Sequence, residues 1–215
     1  MNRPAILNVR TLARTVVLGA LLLGPACAAQ AAPSTWEIDR AHSSITFKIR
    51  HLLSRTNGEF GKFEGKIVVD ADKRESVEAT ATIETASVNT DNTKRDDHLR
   101  SPDFFDAAKF PTITFRGGKL SAVNADRTKA KLEGELTMHG VTKPVVLDVE
   151  WYGTAKDPWG NVKAAFAATT TINRKDFGII WNKTLDAGSY LLGDEVQVEI
   201  SIEAQPAKDQ ATAAH

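Results

Sequence analysis

Beyond the first thirty or so residues, apolar side chains recur at every second position, which is the period of a strand with one buried face. Ile45, Phe47 and Ile49 alternate with Ser44, Thr46 and Lys48; Val77, Ala79, Ala81 and Ile83 alternate with Glu78, Thr80, Thr82 and Glu84. The pattern returns in Leu132 to Met138, in Val145 to Tyr152 and most cleanly in Val196 to Glu203. Turn chemistry separates the runs: Asn57-Gly58 has the composition of a two-residue hairpin, and Asp70 to Arg74, Gly117-Gly118, Asn124 to Asp126, His139-Gly140 and Pro158 to Asn161 supply further breaks. About eight antiparallel strands follow, each with one apolar face, which leaves a closed barrel or a two-sheet sandwich. Closure removes exposed strand edges and favours the barrel. Small residues share the inward face: Ala79, Ala81, Gly134, Ala164 and Ala168 either leave room for a ligand or relieve crowding opposite Phe47, Trp151 and Phe166.

One stretch breaks the alternation. Thr93 to Pro111 concentrates charge and aromatic surface in a short helix and loop. Thr93 followed by Asp96 has the spacing of a capping box, and a helix over about 93–101 ends at Pro102. On it Arg95, His98 and Leu99 share a face, and Asp96 and Arg100 have the spacing of an i, i+4 ion pair. Phe104, Phe105 and Phe110 follow. The element caps or flanks one barrel end, its phenylalanines completing the core or lining a mouth, with Arg95 and His98 placed to meet a polar head group.

The N-terminus carries Arg3, Arg10 and Arg14 without an acid, then an apolar run and AQAA, the layout of a signal peptide over 1–31 cleaved after Ala31. The run falls short of the roughly 20 residues that span a bilayer. The single cysteine, Cys27, follows Gly24-Pro25-Ala26, a poor lipidation context, so anchoring there is not expected. An exported, periplasmic or secreted protein without disulfides must rely on its core, which roughly 180 residues can supply in one domain. Removing the leader leaves 24 basic against 27 acidic residues, a formal charge of −3, with no basic stripe to suit nucleic acid.

Six blocks in order, WEIDRAHSSITFKIRHL, GEFGKFEG, RDDHLRSPDFFDAAKFPTITF, GELTMHGVTKPVVLDV, INRKDFGIIWN and LLGDEVQVEISIEA, cover nearly all of Trp36 to Ala204. In these the chain resembles the YceI-like family of polyisoprenoid-binding periplasmic proteins. The resemblance implies a lipocalin-like antiparallel up-and-down barrel over 33–204 and a long-chain isoprenoid of polyprenyl diphosphate or quinone type in an apolar lumen; the polar tail over 205–215 departs from the family pattern and reads as disordered. It implies no catalysis and no cofactor besides the lipid. Candidate lumen or mouth residues are Phe47, Phe104, Phe105, Phe115, Phe166 and Trp181, with Arg95 and His98 at the head group and Lys183 as a neighbouring cation. Transient contact with a membrane or a membrane protein stays open, as does oligomeric state.

Three rival readings compete. His42, His51, His98 and His139 are possible metal ligands, but their spacing matches no compact motif. Asp96, His98 and Ser101 could be imagined as a hydrolytic set, yet Asp96 and His98 point to different helix faces and no nucleophile turn is present. A solid barrel whose long Arg174 to Glu195 segment, with Phe177, Trp181 and Tyr190, binds another protein is the third; the same segment could equally form one rim of a lipid-binding mouth.

Overall fold

The computed structural model describes residues 33–69, 77–185 and 190–208. The expected leader with Cys27, and the break expected at Asp70 to Arg74, lie outside them. The strands are β1 Ser34–Ile38, β2 Ser44–His51, β3 Ser54–Phe60, β4 Phe63–Val69, β5 Val77–Glu84 and β6 Val88–Asn89. Helix α1, Thr93–Arg100, precedes β7 Thr112–Ser121, β8 Lys129–Met138, β9 Val141–Lys156, β10 Val162–Asn173 and β11 Leu192–Pro206.

All pairings are antiparallel, and β1-β4-β5-β7-β8-β9-β10-β11 returns to β1, closing an eight-stranded ring. The barrel expected from the alternation is therefore the fold. β2, β3 and β6 extend the sheet from β11. They continue β1, β4 and β5 past short irregular breaks: Asp39 to Ser43, Gly61 to Lys62 and the 3-10 turn Thr85–Ser87. At this end, among the described residues, β6 pairs with β3 alone, while β7 pairs with β5 and β8, so the ring opens between β6 and β7. The chain spans that opening with α1 and residues 101–111, where Phe104 is buried.

Several local expectations are corrected. The β2–β3 hairpin turns at Leu52-Leu53, and Asn57-Gly58 lies inside β3, where Gly58 is opposite Phe47. A Cβ at Gly58 would come within 2.3 Å of the Phe47 ring, so the glycine serves a close approach rather than a turn. Gly117-Gly118 lies within β7, at a bulge in its pairing with β8. Helix α1 is capped by Asn92, whose side chain accepts from the Arg95 amide at 3.0 Å, one residue before the expected Thr93. Asp96 turns inward and accepts from the Thr90 amide at 2.9 Å. Arg100 therefore pairs with Asp97 at 3.1 Å and donates to the Ala86 and Val88 carbonyls, instead of pairing with Asp96. The tail begins later than Gln205: Gln205 and Pro206 belong to β11, and the Ala207 amide donates to Thr35.

Two of the small inward residues, Gly134 and Ala164, stand in crowded surroundings. A Cβ at Gly134 would stand 2.7 Å from the Phe115 ring, and Ala164 and Ala204, cross-strand partners, are fully enclosed. Phe166 packs on Trp151 with centroids 4.6 Å apart.

Candidate functional site

At the opened end the barrel contains a cavity of about 350 Å³. Ile45, Phe47 and Ile49 of β2, Phe60 of β3, and Val196 and Val198 of β11 form one side, and the alternation that makes these strands also turns those side chains inward. Arg95, His98 and Leu99 of α1, with Phe104 and Phe105, form another. The segment between β10 and β11 adds Arg174, Ile179, Trp181 and Leu191. Aromatic rings run along the wall in two chains. Phe60 lies 5.7 Å from both Phe47 and Phe105, and Phe104, His98 and Trp181 are mutually within 4.9 to 5.1 Å.

Six of the eight candidate residues thus meet around one space: Phe47, Phe104, Phe105, Trp181, Arg95 and His98. Phe115 and Phe166 do not border it. They point inward on β7 and β10 but pack against Gly134 and Trp151. Of the five small inward residues none borders this cavity; Ala168 borders a second hollow of about 330 Å³ whose rim carries Lys129, Lys131, Asp148 and Glu150, a charged setting unlike the first.

The polar groups differ in how far they are committed. His98 shares a 2.9 Å contact between Nε2 and Asp103 Oδ2. Arg95 donates from Nε to Thr90 Oγ1 at 2.7 Å and from Nη2 to the Thr90 carbonyl at 2.6 Å, and Thr90 in turn bonds the buried Asp96. This fixes the Arg95 stem, and among the described residues Nη1 has neither a hydrogen-bond partner nor a carboxylate in ion-pair range. Lys183 does not border the cavity.

Arg174 also borders the cavity, although the sequence did not single it out as a site residue. Its side chain is buried, and it donates to the carbonyls of Gly193 at 2.9 Å, Ile179 at 2.7 Å and Trp181 at 2.8 Å, with Asp194 at 3.4 Å. Burial draws its pKa below the usual arginine value, and Asp194 opposes the shift. One guanidinium thereby holds both edges of the long 174–194 segment and sets Trp181 on the cavity wall. Nothing in the polar run Asn173-Arg174-Lys175-Asp176 distinguishes it from a solvated arginine.

The imagined hydrolytic set does not assemble. Asp96 bonds Thr90, and Ser101 Oγ donates to the His98 backbone carbonyl, not to its ring. Nor do the four histidines converge. His51 and His98 reach the cavity, His139 bonds the Phe177 carbonyl, and His42 lies in the 3-10 turn between β1 and β2. There His42 clusters with Asp39 and Glu203, three groups with metal-ligand chemistry. The Lys163 ammonium already sits among them, 2.7 Å from Asp39 and 3.3 Å from Glu203, so the cluster is a clasp across the β1–β2 break.

That clasp sets a pH dependence. The Lys163 hydrogen bond is the main force lowering the Asp39 pKa to about 2; burial opposes it, and His42 and the Ala41 amide assist. A carboxyl whose folded pKa lies below its unfolded value stabilises above about pH 4 and loses that contribution as pH falls toward 2. Lys163→Met is expected to cost about 1–2 kcal/mol at pH 7. In denaturant titrations the gap to wild type should close between pH 4 and pH 2; a gap that persists unchanged at pH 2 would contradict this origin.

The YceI-like domain model matches residues 36–204. A UPF0312 protein of Pseudomonas fluorescens is 41% identical over 199 residues, covering 89% of this chain and 98% of that protein. The crystal structure of the Campylobacter jejuni YCEI protein is similar with a TM-score of 0.63 at 36% identity, covering 80% of this chain and 97% of that one. A polyisoprenoid binding domain from Saccharophagus degradans shares the fold, with a TM-score of 0.55 at 16% identity over 80% of this chain and 98% of that domain.

Proposed function

The chain belongs to the YceI-like family, and from that premise we propose that it is an exported, non-catalytic protein that holds an isoprenoid lipid in the cavity beneath α1. The observation that carries this reading is the cavity wall itself, built from Phe47, Phe60, Phe104, Phe105 and Trp181 among aliphatic side chains. A prenyl chain offers many carbons to bury and little to hydrogen-bond. At about 0.8 kcal/mol per buried carbon, ten carbons give about 8 kcal/mol before ordering costs, the scale of a micromolar constant. The shared fold of the Saccharophagus degradans domain supports the ligand class by analogy only.

The cavity lies at the small end of the usual range of ligand sites. It accommodates one end of a long chain, and the remainder must extend through the mouth or displace flexible wall residues such as Met138 and Leu192. A barrel acting only as a solid protein-binding module would have no reason to keep this space lined with aromatic rings.

Arg95 is the group suited to a diphosphate, through its uncommitted Nη1. Because the side chain is exposed, its preference for farnesyl diphosphate over farnesol is expected to be about tenfold and to fall toward parity in Arg95→Ala. Intrinsic tryptophan fluorescence reports both titrations, since of the four indoles Trp181 is the one on the cavity wall. If neither isoprenoid perturbs that fluorescence or binds by calorimetry, the lipid reading fails; if the preference survives in Arg95→Ala, the head-group role fails alone.

A further inference from the structure

The β2–β3 hairpin is built against the usual rules in two ways. Its two-residue turn is Leu52-Leu53, where such turns favour glycine, asparagine or aspartate, and Leu52 sits at φ 52°, in the left-handed region that bulky residues avoid. Leu53 is fully exposed and Leu52 is 44% exposed. One pair behind the turn, past His51 and Ser54, Arg50 and Arg55 are direct cross-strand partners, an arrangement that ordinarily destabilises a sheet. Among the described residues, neither has a carboxylate within ion-pair range. Arg50 donates to the Leu52 carbonyl at 3.3 Å, and Arg55 donates to Gln197. Local strain, exposed leucine and unneutralised like charge in one turn imply a role outside the folded monomer.

The turn adjoins the cavity. The Leu52 amide donates to the Leu191 carbonyl at 2.9 Å, His51 pairs with Leu192, and all three of His51, Leu191 and Leu192 border the cavity. Next to Leu191, Tyr190 is 54% exposed and bridges Thr184; Ile180, beside the cavity residues Ile179 and Trp181, is 70% exposed.

We infer that this rim is a membrane-docking surface, in which Leu53, Leu52, Ile180 and Tyr190 enter the interfacial region of a bilayer while Arg50 and Arg55 meet anionic lipid head groups. Apolar residues backed by paired arginines suit that boundary, where one layer is apolar and the next negatively charged. Such a contact places the cavity mouth against the pool from which an isoprenoid is drawn. The purpose rests on the lipid reading above, although the docking itself does not.

The test is sedimentation of the full mature chain with vesicles of phosphatidylcholine alone or mixed equally with phosphatidylglycerol. Wild type should bind the mixed vesicles, more weakly at high salt, and Leu53→Glu should lower the partition coefficient about tenfold or more. Leu52→Gly should melt higher, because the turn is relieved, yet bind vesicles several-fold more weakly. Val123→Glu, at an exposed site away from the rim, should bind as wild type does. Equal binding by wild type and Leu53→Glu, or no binding by wild type at low salt, overturns the inference. So does a concentration-dependent dimer that Leu53→Glu converts to monomer without changing vesicle binding, which would assign the patch to a second copy of the chain. Farnesol supplied in solution separates the two readings: Leu53→Glu should still bind it, whereas a wild type that docks but takes up no farnesol contradicts only the lipid reading.

Discussion

Replacing Arg174 with methionine is expected to destabilise the protein by about 3–5 kcal/mol, the range found when a buried, multiply bonded charge is removed from its partners. The carbonyls of Ile179, Trp181 and Gly193 all accept from this one side chain. Methionine fills the volume but leaves buried acceptors unpaired, and each unpaired group costs on the order of 1–3 kcal/mol. For a domain of this size the melting temperature should fall by about 10 °C. Arg174→Lys should recover less than half of the loss, since a single ammonium cannot reproduce the planar fork that reaches both edges of the 174–194 segment. Because Trp181 is held through its own carbonyl, the variant should also lose the fluorescence response to ligand. A cost below about 1 kcal/mol would show that the segment is held by Phe177 and Ile179 packing instead.

The second large effect concerns binding and leaves stability nearly untouched. Val198 projects from β11 into the cavity opposite Phe47, so Val198→Trp places an indole in the space assigned to the ligand. Excluding about four ligand carbons removes about 3 kcal/mol, a loss of more than a hundredfold in affinity. An ordinary core rejects such an enlargement at a cost of about 1–3 kcal/mol, whereas a pre-existing hollow absorbs it, and denaturation should shift by less than 1 kcal/mol. Val146→Trp, on the outer face, is the matching control and should bind as wild type does. Strong destabilisation of Val198→Trp with unaltered binding would place the ligand elsewhere.

The alternation exposed the barrel because each long strand has one buried face, as in β8, β9 and β11, and that periodicity is a local property. The breaks at Asp39 to Ser43 and Thr85 to Ser87 were not legible, since what opens the ring is the departure of β6 from β7, a relation between distant segments. Asn57-Gly58 carried a genuine glycine requirement whose cause, the Phe47 ring, lies on another strand. The same limit applies to the site. The aromatic and charged composition of 93–111 pointed to α1 and to Phe104 and Phe105, while Phe115 and Phe166 share the inward parity of Phe47 and could be separated from it only by position along the barrel axis. Small inward residues suggested where space would be, but Gly134 yields its volume to Phe115, and the cavity lies instead among larger side chains at the opened end. Arg174 was invisible because its shortest bonds go to backbone carbonyls, which leave no trace in composition.

The most direct measurement is lipid extraction and mass spectrometry of wild type and Val198→Trp purified in parallel from the organism that makes the protein. A bound isoprenoid near one per chain in wild type and absent from Val198→Trp is the expected result. Identical lipid profiles from the two, or no apolar lipid in either with no uptake of added farnesol, would contradict a lipid held in the cavity beneath α1.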